Sequence, residues 1–329
     1  MLNPTTIWTG MQVASRRLLR GPRRAPWSFT FETLVACLRR DATRLVTRAE
    51  GAGISWPRER AQMEAGALRD PAIVGAMTYE RVDAGGVPAL WCSPVAGDAQ
   101  AVIVYFHGGG FVSGSAATHQ DVASRLCLAS GARALVVDYR LAPEHRAPAA
   151  HEDALTSCLW VFEQVSPQQV VLAGDSAGGG LALATAIALR DAGHPLPAAV
   201  VALCPWLAPR APEVVHADDD WCSPAYLDVC ARAYLGGAAP PATVMAAHSA
   251  PLAGLPPLLI QVGELEYLRE EAARFVHRAR EAGTTVEIEI EPNMIHGWHA
   301  YADLLPQAAE ALSRAGAFVR KATSTTETA

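Results

Sequence analysis

Five short apolar runs recur along the chain, and segments with a helical period separate them. The runs cover residues 101–106, 134–138, 170–173, 198–204 and 258–262. The helical segments lie near residues 117–130, 150–164, 177–192 and 267–282. Runs that are apolar at nearly every position are typical of parallel strands buried on both faces, and strand–helix alternation places helices against such a sheet. The pattern predicts an α/β fold with a doubly wound, mostly parallel sheet.

Residues 285–291 follow a different pattern, because polar and apolar positions alternate strictly from Thr285 to Glu291. Such a strand has one acidic, solvated face, and charge of this kind is common on edge strands. We therefore expect it at the edge of the sheet. Pairing two copies through this strand would bring like charges together, so the sequence leaves both a monomer and a homodimer open.

Two segments interrupt the alternation of strands and helices. Residues 1–55 are rich in Arg, Trp and Thr and predict one or two amphipathic helices, while residues 210–246 contain the acidic cluster Asp218–Asp220 followed by a helical stretch. We expect both segments to form a helical cap over the edge of the sheet at which a functional site would lie. The predicted division is a cap at 1–55, a catalytic domain at 56–209 and 247–329, and a cap insertion at 210–246.

Composition narrows the class of protein further. Half of the 329 residues are hydrophobic and the net charge is −6, which fits a large globular core and gives no reason to expect nucleic acid as a partner. No apolar run approaches the roughly 20 residues of a membrane span, and the first residues lack the basic start of a secretory signal. The seven cysteines lack zinc or redox spacing. These features predict a soluble, cytoplasmic protein without a membrane partner.

The segment Gly174-Asp175-Ser176-Ala177-Gly178 joins an apolar run to a small-residue helix. A turn this sharp accepts only glycine on either side, lifts the serine oxygen clear of the sheet, and places it at a helix N-terminus that favours negative charge. The pattern predicts that Ser176 is a nucleophile.

A second glycine-rich turn, His107-Gly108-Gly109-Gly110-Phe111, directly follows the first apolar run. Three consecutive glycines leave backbone N–H groups unobstructed, so that they can converge on a small anion. Alone, such a stretch would be a flexible turn, but it accompanies a serine turn here. Gly108, Gly109, Gly110 and Ala177 are therefore the predicted oxyanion hole, and the chemistry implies neither a metal nor an organic cofactor.

Three motifs together resemble the hormone-sensitive-lipase-like esterases, bacterial family IV of the α/β-hydrolases. They are the glycine turn at 107–111, Asp138-Tyr139-Arg140-Leu141-Ala142-Pro143-Glu144-His145, and the serine turn with its Gly-Asp-Ser-Ala-Gly pattern. The similarity covers about residues 75–320. It implies an α/β-hydrolase fold and a carboxylesterase acting on a small-molecule ester.

The base and its orienting acid should follow Ser176 in the order acid, then histidine. His296 lies in a loop after the alternating strand and matches the family's His-Gly position; His299 is its rival, interpreted as a surface or packing residue. The resemblance places Glu266 where the family commonly has aspartate, and Glu264 remains the alternative. Glutamate suffices, because the acid only has to accept the imidazole N–H and stabilise the imidazolium.

Three aromatic residues are candidates to line the substrate pocket, namely Phe111, Trp206 and Trp298, and Trp221 is a weaker candidate. Core packing is an equally good interpretation of Trp206. Asp175 is interpreted as a brace for nearby loops, and the charged residues of 138–145 as a scaffold for the glycine turn. Where the family often has an aspartate after its Pro-Trp, this chain has Leu207-Ala208.

The resulting hypothesis is a serine carboxylesterase for short- to medium-chain esters, including aryl esters, that works through a Ser-His-Glu triad. Two alternatives are a non-catalytic small-molecule receptor on the same fold and an amidase. Receptors of this kind typically lack the histidine, which is present here. An amidase or peptidase would need a larger substrate-selecting domain. Nothing in the sequence marks an exposed apolar lid of an interfacial lipase. The hypothesis also predicts that esterase activity falls below about pH 6.5, because His296 then gains a proton.

Overall fold

A computed structural model describes residues 4–51, 53–210 and 221–324, built around one eight-stranded sheet in the order β1-β2-β4-β3-β5-β6-β7-β8. The strands are β1 Met77–Asp83, β2 Pro88–Pro94, β3 Val102–Phe106, β4 Arg133–Val137, β5 Val170–Asp175, β6 Ala199–Leu203, β7 Leu258–Gly263 and β8 Val286–Glu291. The helices are α1 Pro4–Arg20, α2 Phe29–Glu50, α3 Trp56–Ala65, α4 Pro71–Gly75, α5 Ala116–Ser130, α6 Ala149–Phe162, α7 Ala177–Asp191, α8 Pro224–Leu235, α9 Ala246–Ser249, α10 Arg269–Glu281 and α11 Pro306–Ser324.

The six strands from β4 to β8 in sheet order pair in parallel, and β2 is antiparallel to both of its neighbours. Every residue of β3, β6 and β7 is buried, as expected for strands with helices on both faces. The predicted strands and helices lie within about two residues of the observed ones. The α/β-hydrolase arrangement expected from the sequence is confirmed.

The first two strands and the last helix were not predicted. β1 and β2 form a hairpin around Gly85 and Gly86, whose positive φ angles of 72° and 93° suit a tight turn of glycines. Helix α11 packs along α5 and covers one face of the sheet. These elements enlarge the sheet and bury its second face.

Strand β8 does lie at the edge of the sheet, as predicted. Its acidic face is not simply solvated, however, because Arg314 of α11 binds Glu289 at 2.8 Å and Glu291 at 3.1 Å. On the opposite face Ile290 is 47% exposed. A neighbouring arginine therefore compensates the like charges that the sequence analysis expected at this edge.

Helices α1 and α2 pack together and confirm two helices within residues 1–55. Phe31 and Val35 of α2 are buried in a cluster with Trp27, Ile295 and Trp298, and α2 also contacts α8. The Trp27 indole N–H donates to the carbonyl of Asn293 at 2.8 Å. The N-terminal helices are thus fixed to the loop that carries His296. The acidic cluster Asp218–Asp220 lies outside the described residues.

The state of the cysteines and the character of the helices can also be read from the structure. None of the seven cysteines is in a disulfide bond, and all except Cys37 are buried. Among the residues that the structure describes, none of the helices combines the length and the apolar character that crossing a bilayer demands.

Candidate active site

Ser176 stands between β5 and α7 on a strained turn, with φ 53° and ψ −119°. The neighbouring glycines are required by contact. A methyl group on Gly174 would lie 2.4 Å from the carbonyl oxygen of Gly178, and one on Gly178 would lie 1.9 Å from the carbonyl oxygen of Phe106. The backbone of the turn is therefore pressed against β3, which presents the serine oxygen above the sheet.

His296 links Ser176 to Glu266. Its Nε2 lies 2.8 Å from the Ser176 hydroxyl oxygen, and its Nδ1 lies 2.9 Å from a carboxylate oxygen of Glu266. The second carboxylate oxygen accepts the backbone N–H of Gly263, and the Glu266 side chain is fully buried. Glu264 instead accepts the backbone N–H of Asn293 at 2.8 Å on the surface. The structure thus brings together the three residues that the sequence predicts and leaves Glu264 outside.

The surroundings of His296 favour its protonated form. Burial opposes protonation, but contacts with the Cys222 thiol and with the Glu266 carboxylate outweigh it and raise the pKa of His296 well above its usual 6.5. Glu266 contributes through the charge of its carboxylate and the 2.9 Å hydrogen bond to the imidazole. The imidazole is therefore a strong base that Glu266 holds in one tautomer.

The glycine turn and the residue after Ser176 carry backbone N–H groups that are candidates for an oxyanion hole. Gly109 and Gly110 have φ angles of 116° and 63°, and within the described chain no acceptor is recorded for their N–H groups or for that of Ala177. A methyl group on Gly110 would lie 2.8 Å from the sulfur of Cys230. These three N–H groups are available to a developing oxyanion.

Gly108 differs from the prediction. Its N–H donates to Asp175 at 3.0 Å and lies 3.2 Å from Nε2 of His119, so it has no capacity left for an oxyanion. A side chain at Gly108 would collide with the Asp175 carboxylate, which lies 2.2 Å from the position of its Cβ. Gly108 is therefore a structural glycine, and its place among the predicted oxyanion donors is wrong.

Asp175 acts as the brace that the sequence predicts. Besides the N–H of Gly108, its carboxylate accepts the Tyr105 hydroxyl at 2.8 Å and pairs with His119 at 3.3 Å. Burial alone would raise the pKa of Asp175, but His119 and Tyr105 lower it to about 2. An ionised carboxylate thus ties the serine turn to the glycine turn and fixes the spacing between nucleophile and oxyanion donors.

The charged residues of the 138–145 motif also serve as scaffold. Arg140 binds the Asp153 carboxylate at 2.8–3.0 Å, and Glu144 pairs with Arg60 of α3. The Arg60 guanidinium further donates to the carbonyls of Val112 and Ala142. The loop behind the glycine turn is therefore held from two sides.

Phe111 and Trp206 lie among aromatic rings beside the glycine turn. The Phe111 ring stacks on Tyr234 at 4.3 Å between ring centroids and lies 6.0 Å from Trp206. Trp298 was also expected in the pocket, but it is buried in the cluster of Trp27 and Met294 under α2, so that prediction is wrong.

Trp221, the weaker candidate for the pocket, lies close to the reacting groups. Its indole N–H donates to the carbonyl of His296 at 2.8 Å, and its ring lies 5.8 Å from the imidazole. It is the first described residue after the acidic cluster, so the start of the cap insertion reaches the catalytic loop.

The remaining histidines take no part in this arrangement. His299 is buried, lies 3.0 Å from the Gln261 amide oxygen, and has its pKa lowered to about 3 by burial. It is thus a packing residue, not a surface one. His277 is solvated, with its side chain 73% exposed beside Glu281.

Cys204 approaches the triad and completes a set of possible metal ligands. One donor atom each from Cys204, Glu266 and His296 lie within 4.8 Å of one another. Both ring nitrogens and both carboxylate oxygens are already engaged in the hydrogen bonds described above. A metal ion here would displace the hydrogen bonds of the triad, so the arrangement suits proton transfer better than metal binding.

A family model for the α/β-hydrolase fold matches residues 103–300. An acetyl-hydrolase from Streptomyces hygroscopicus is 42% identical over 247 residues, which are 74% of this chain and 82% of that protein. The crystal structure of an esterase from the bacterial hormone-sensitive lipase family superposes with a TM-score of 0.76 at 35% identity, covering 87% of this chain and 98% of that one. The chain belongs to the hormone-sensitive-lipase-like α/β-hydrolases.

Other members of this family support the same activity. The carboxylesterase NlhH of Mycobacterium tuberculosis is 34% identical over 253 residues, 71% of this chain and 77% of that protein. A structure of EstE5 soaked with p-nitrophenyl butyrate has a TM-score of 0.76 and 34% identity over 88% of this chain and 99% of that one. The chain is a carboxylic ester hydrolase, and the predicted family, fold and enzyme class are confirmed.

Proposed function

We propose that this esterase works through Ser176, His296 and Glu266. The observation that carries the proposal is the continuous chain of hydrogen bonds from the Ser176 hydroxyl through both ring nitrogens of His296 to a fully buried carboxylate. Ser176 attacks the ester carbonyl while Nε2 of His296 takes its proton. His296 then protonates the leaving alcohol, and water hydrolyses the acyl-enzyme in a second cycle.

The N–H groups of Gly109, Gly110 and Ala177 hold the oxyanion in both tetrahedral intermediates. Each such donor contributes on the order of 10²–10³ in rate, because it is fixed before charge develops on the oxygen. Asp175 acts indirectly, since it positions the two turns that carry these donors. No step of this mechanism uses a metal or an organic cofactor.

We assign residues 1–55 and 210–246 to a cap, and residues 56–209 and 247–329 to the catalytic domain. The contacts of α2 with α8 and of Trp221 with His296 support this division. Cysteines without disulfide bonds fit a reducing compartment, so we retain a cytoplasmic location as a proposal. The proposed oligomeric state is a monomer or a homodimer.

The substrates that we propose are esters of short- to medium-chain acids, including aryl esters. Beside the oxyanion donors, Cys230 is packed against Gly110 and the rings of Phe111 and Tyr234 are stacked, which limits the space for a long acyl chain. The relative named acetyl-hydrolase and the neighbour soaked with p-nitrophenyl butyrate support the same range.

Acyl-chain preference tests this assignment. With 4-nitrophenyl acetate, butyrate, octanoate and laurate, we expect kcat/KM for laurate to be at least about tenfold lower than for butyrate, because a chain that overfills the pocket has to displace packed rings. The matching 4-nitroanilides should release no product, which separates the esterase from the amidase alternative. Equal turnover of all four esters would contradict the proposed range. No turnover by the folded protein would instead favour the receptor alternative.

The pH profile tests the role of His296. Only the neutral imidazole accepts the serine proton, and a raised pKa means that the proton is retained to a higher pH. We therefore expect kcat/KM for 4-nitrophenyl acetate to decline in acid with a midpoint above pH 6.5, higher than the sequence alone suggested. A midpoint at or below this value would show that Glu266 does not stabilise the imidazolium in the working enzyme.

A further inference from the structure

His119 of α5 is a buried histidine to which the mechanism above gives no role of its own. Its Nε2 lies 3.3 Å from Oδ2 of Asp175, which belongs to the serine turn. The same nitrogen lies 3.2 Å from the backbone nitrogen of Gly108, which belongs to the glycine turn. A single imidazole nitrogen therefore contacts both of the turns that carry the reacting groups.

The neighbours of the other ring nitrogen show that it carries a hydrogen. Nδ1 of His119 lies 2.8 Å from the Thr118 hydroxyl oxygen and 3.4 Å from the Ser115 carbonyl oxygen. The Thr118 hydroxyl donates its single hydrogen to the same carbonyl at 2.9 Å, so that its oxygen is left to accept from the imidazole. Nδ1 is therefore a donor, and the charge of the ring depends on Nε2.

The contacts of Nε2 favour a charged imidazole. A neutral ring would turn its lone pair toward the Asp175 carboxylate, so that two acceptors would face each other in a buried site. A charged ring donates from Nε2 to Oδ2, while Oδ1 accepts the N–H of Gly108 at 3.0 Å and the Tyr105 hydroxyl at 2.8 Å. Burial lowers the pKa of His119, but the charge of Asp175 outweighs burial and raises it above its usual 6.5.

Gly108 connects this ion pair with the oxyanion donors. Its carbonyl belongs to the same peptide group as the N–H of Gly109, so a displacement of Gly108 moves that donor relative to Ser176. A displacement of about 1 Å in a reacting group can cost about a hundredfold in rate. The contacts that reach Gly108 and Asp175 from α5 therefore bear on the rate of the reaction.

We propose that His119 is a positioning residue of the esterase, whose imidazole holds the Asp175 carboxylate against Gly108 and thereby fixes the spacing between the oxyanion donors and Ser176. It acts through Asp175 and touches no reacting atom. The inference rests on the proposed mechanism, because this spacing matters only if Ser176 is the nucleophile.

Two amide variants separate this role from a purely structural one. The amide nitrogen of glutamine reaches the place of Nε2, and that of asparagine the place of Nδ1. His119→Gln therefore keeps a donor toward Asp175, whereas His119→Asn keeps only the donor toward Ser115. We expect kcat/KM for 4-nitrophenyl acetate to fall about a hundredfold in His119→Asn and at most about tenfold in His119→Gln. Rates are taken per folded molecule, with the folded fraction measured by near-ultraviolet circular dichroism.

A transition-state analogue shows where the loss arises. Butylboronic acid adds to a nucleophilic serine and places an oxygen at the oxyanion donors, whereas butanamide binds as an uncleaved ground-state ligand. In His119→Asn, the Ki of butylboronic acid should rise by about the factor by which kcat/KM falls, and the Ki of butanamide should change by less than about threefold. In an Asp175→Asn background, His119→Asn should cost less than about threefold, because the two residues act as one unit.

A matched control removes a histidine from a similar pair elsewhere. His248 lies 3.2 Å from the Glu271 carboxylate, and His248→Asn should leave kcat/KM for 4-nitrophenyl acetate unchanged.

Three outcomes would overturn the proposal. These are a His119→Gln enzyme as slow as His119→Asn or slower, wild-type kcat/KM per folded molecule in both variants, and an unchanged Ki of butylboronic acid in a slow His119→Asn enzyme. Failure of the proposed mechanism gives a different result, because butylboronic acid would then bind the wild type and Ser176→Ala equally well. The two proposals therefore fail separately.

Discussion

Ser176→Ala should lower kcat for 4-nitrophenyl acetate by about six orders of magnitude, to the level that the oxyanion donors and binding alone support. Alanine keeps the same backbone at φ 53°, and the contacts that require glycine at 174 and 178 do not involve the lost hydroxyl. The variant should therefore fold as the wild type does. The measurement is steady-state release of 4-nitrophenol, with a burst of product in the wild type and none in the variant.

A control variant and a variant of the proposed base complete this experiment. Ser249→Ala removes an exposed serine hydroxyl whose only recorded bond within the described residues is to its own helix, and it should leave kcat unchanged. His296→Ala should cost about as much as Ser176→Ala, and combining the two should add little, because residues that act as one unit are not additive. A Ser176→Ala enzyme that retains turnover within about tenfold of the wild type would remove Ser176 from the mechanism.

The parts of the site that the sequence predicts are those fixed by local backbone geometry. A buried strand, a glycine turn and a small-residue helix follow one another in the chain, so the serine turn can be recognised without tertiary contacts. The steric reason is now explicit, because Gly178 lies directly against the carbonyl of Phe106. His296 was recognised for a similar reason, since its loop directly follows an alternating strand.

Roles that depend on long-range contacts could not be predicted in this way. Gly108 looks like its two neighbours in sequence, and only the approach of Asp175, 67 residues away, shows that its N–H is occupied. Trp298 lies two residues from His296, but its side chain turns into the cluster beneath α2. In both cases neighbouring positions in the chain serve different purposes, because the residues that they contact come from distant segments.

The packing of helix α1 shows a related limit. A periodic pattern predicts an amphipathic helix, but α1 has apolar residues on two sides, and the sequence does not say which side packs on α2. The structure buries Val13 and exposes Trp8, Leu18 and Leu19. The structure therefore decides which of the two apolar sides of a predicted helix is buried, a choice that the sequence pattern leaves open.

Glu266→Gln should lower kcat by about four orders of magnitude, and the hydrogen bonds of the carboxylate explain why. Its two oxygens accept from the imidazole of His296 and from the backbone N–H of Gly263. A buried amide offers one acceptor and one donor side. If the amide nitrogen faces His296, Nδ1 has to become an acceptor and Nε2 carries the proton, so it cannot receive the one from Ser176. If it faces Gly263, two N–H groups oppose each other in a buried site.

Glu264→Gln is the matched control, because it makes the same chemical change two residues away in the chain. Its carboxylate accepts a backbone N–H at the surface and has no recorded contact with His296. We expect Glu264→Gln to stay within about threefold of the wild-type kcat, with the acid midpoint of kcat/KM unchanged. In Glu266→Gln, the residual activity should lose that raised midpoint, since the charge that favours the imidazolium is gone. If the two variants exchanged these effects, Glu264 would be the orienting acid and the hydrogen bond between Glu266 and His296 would only be structural.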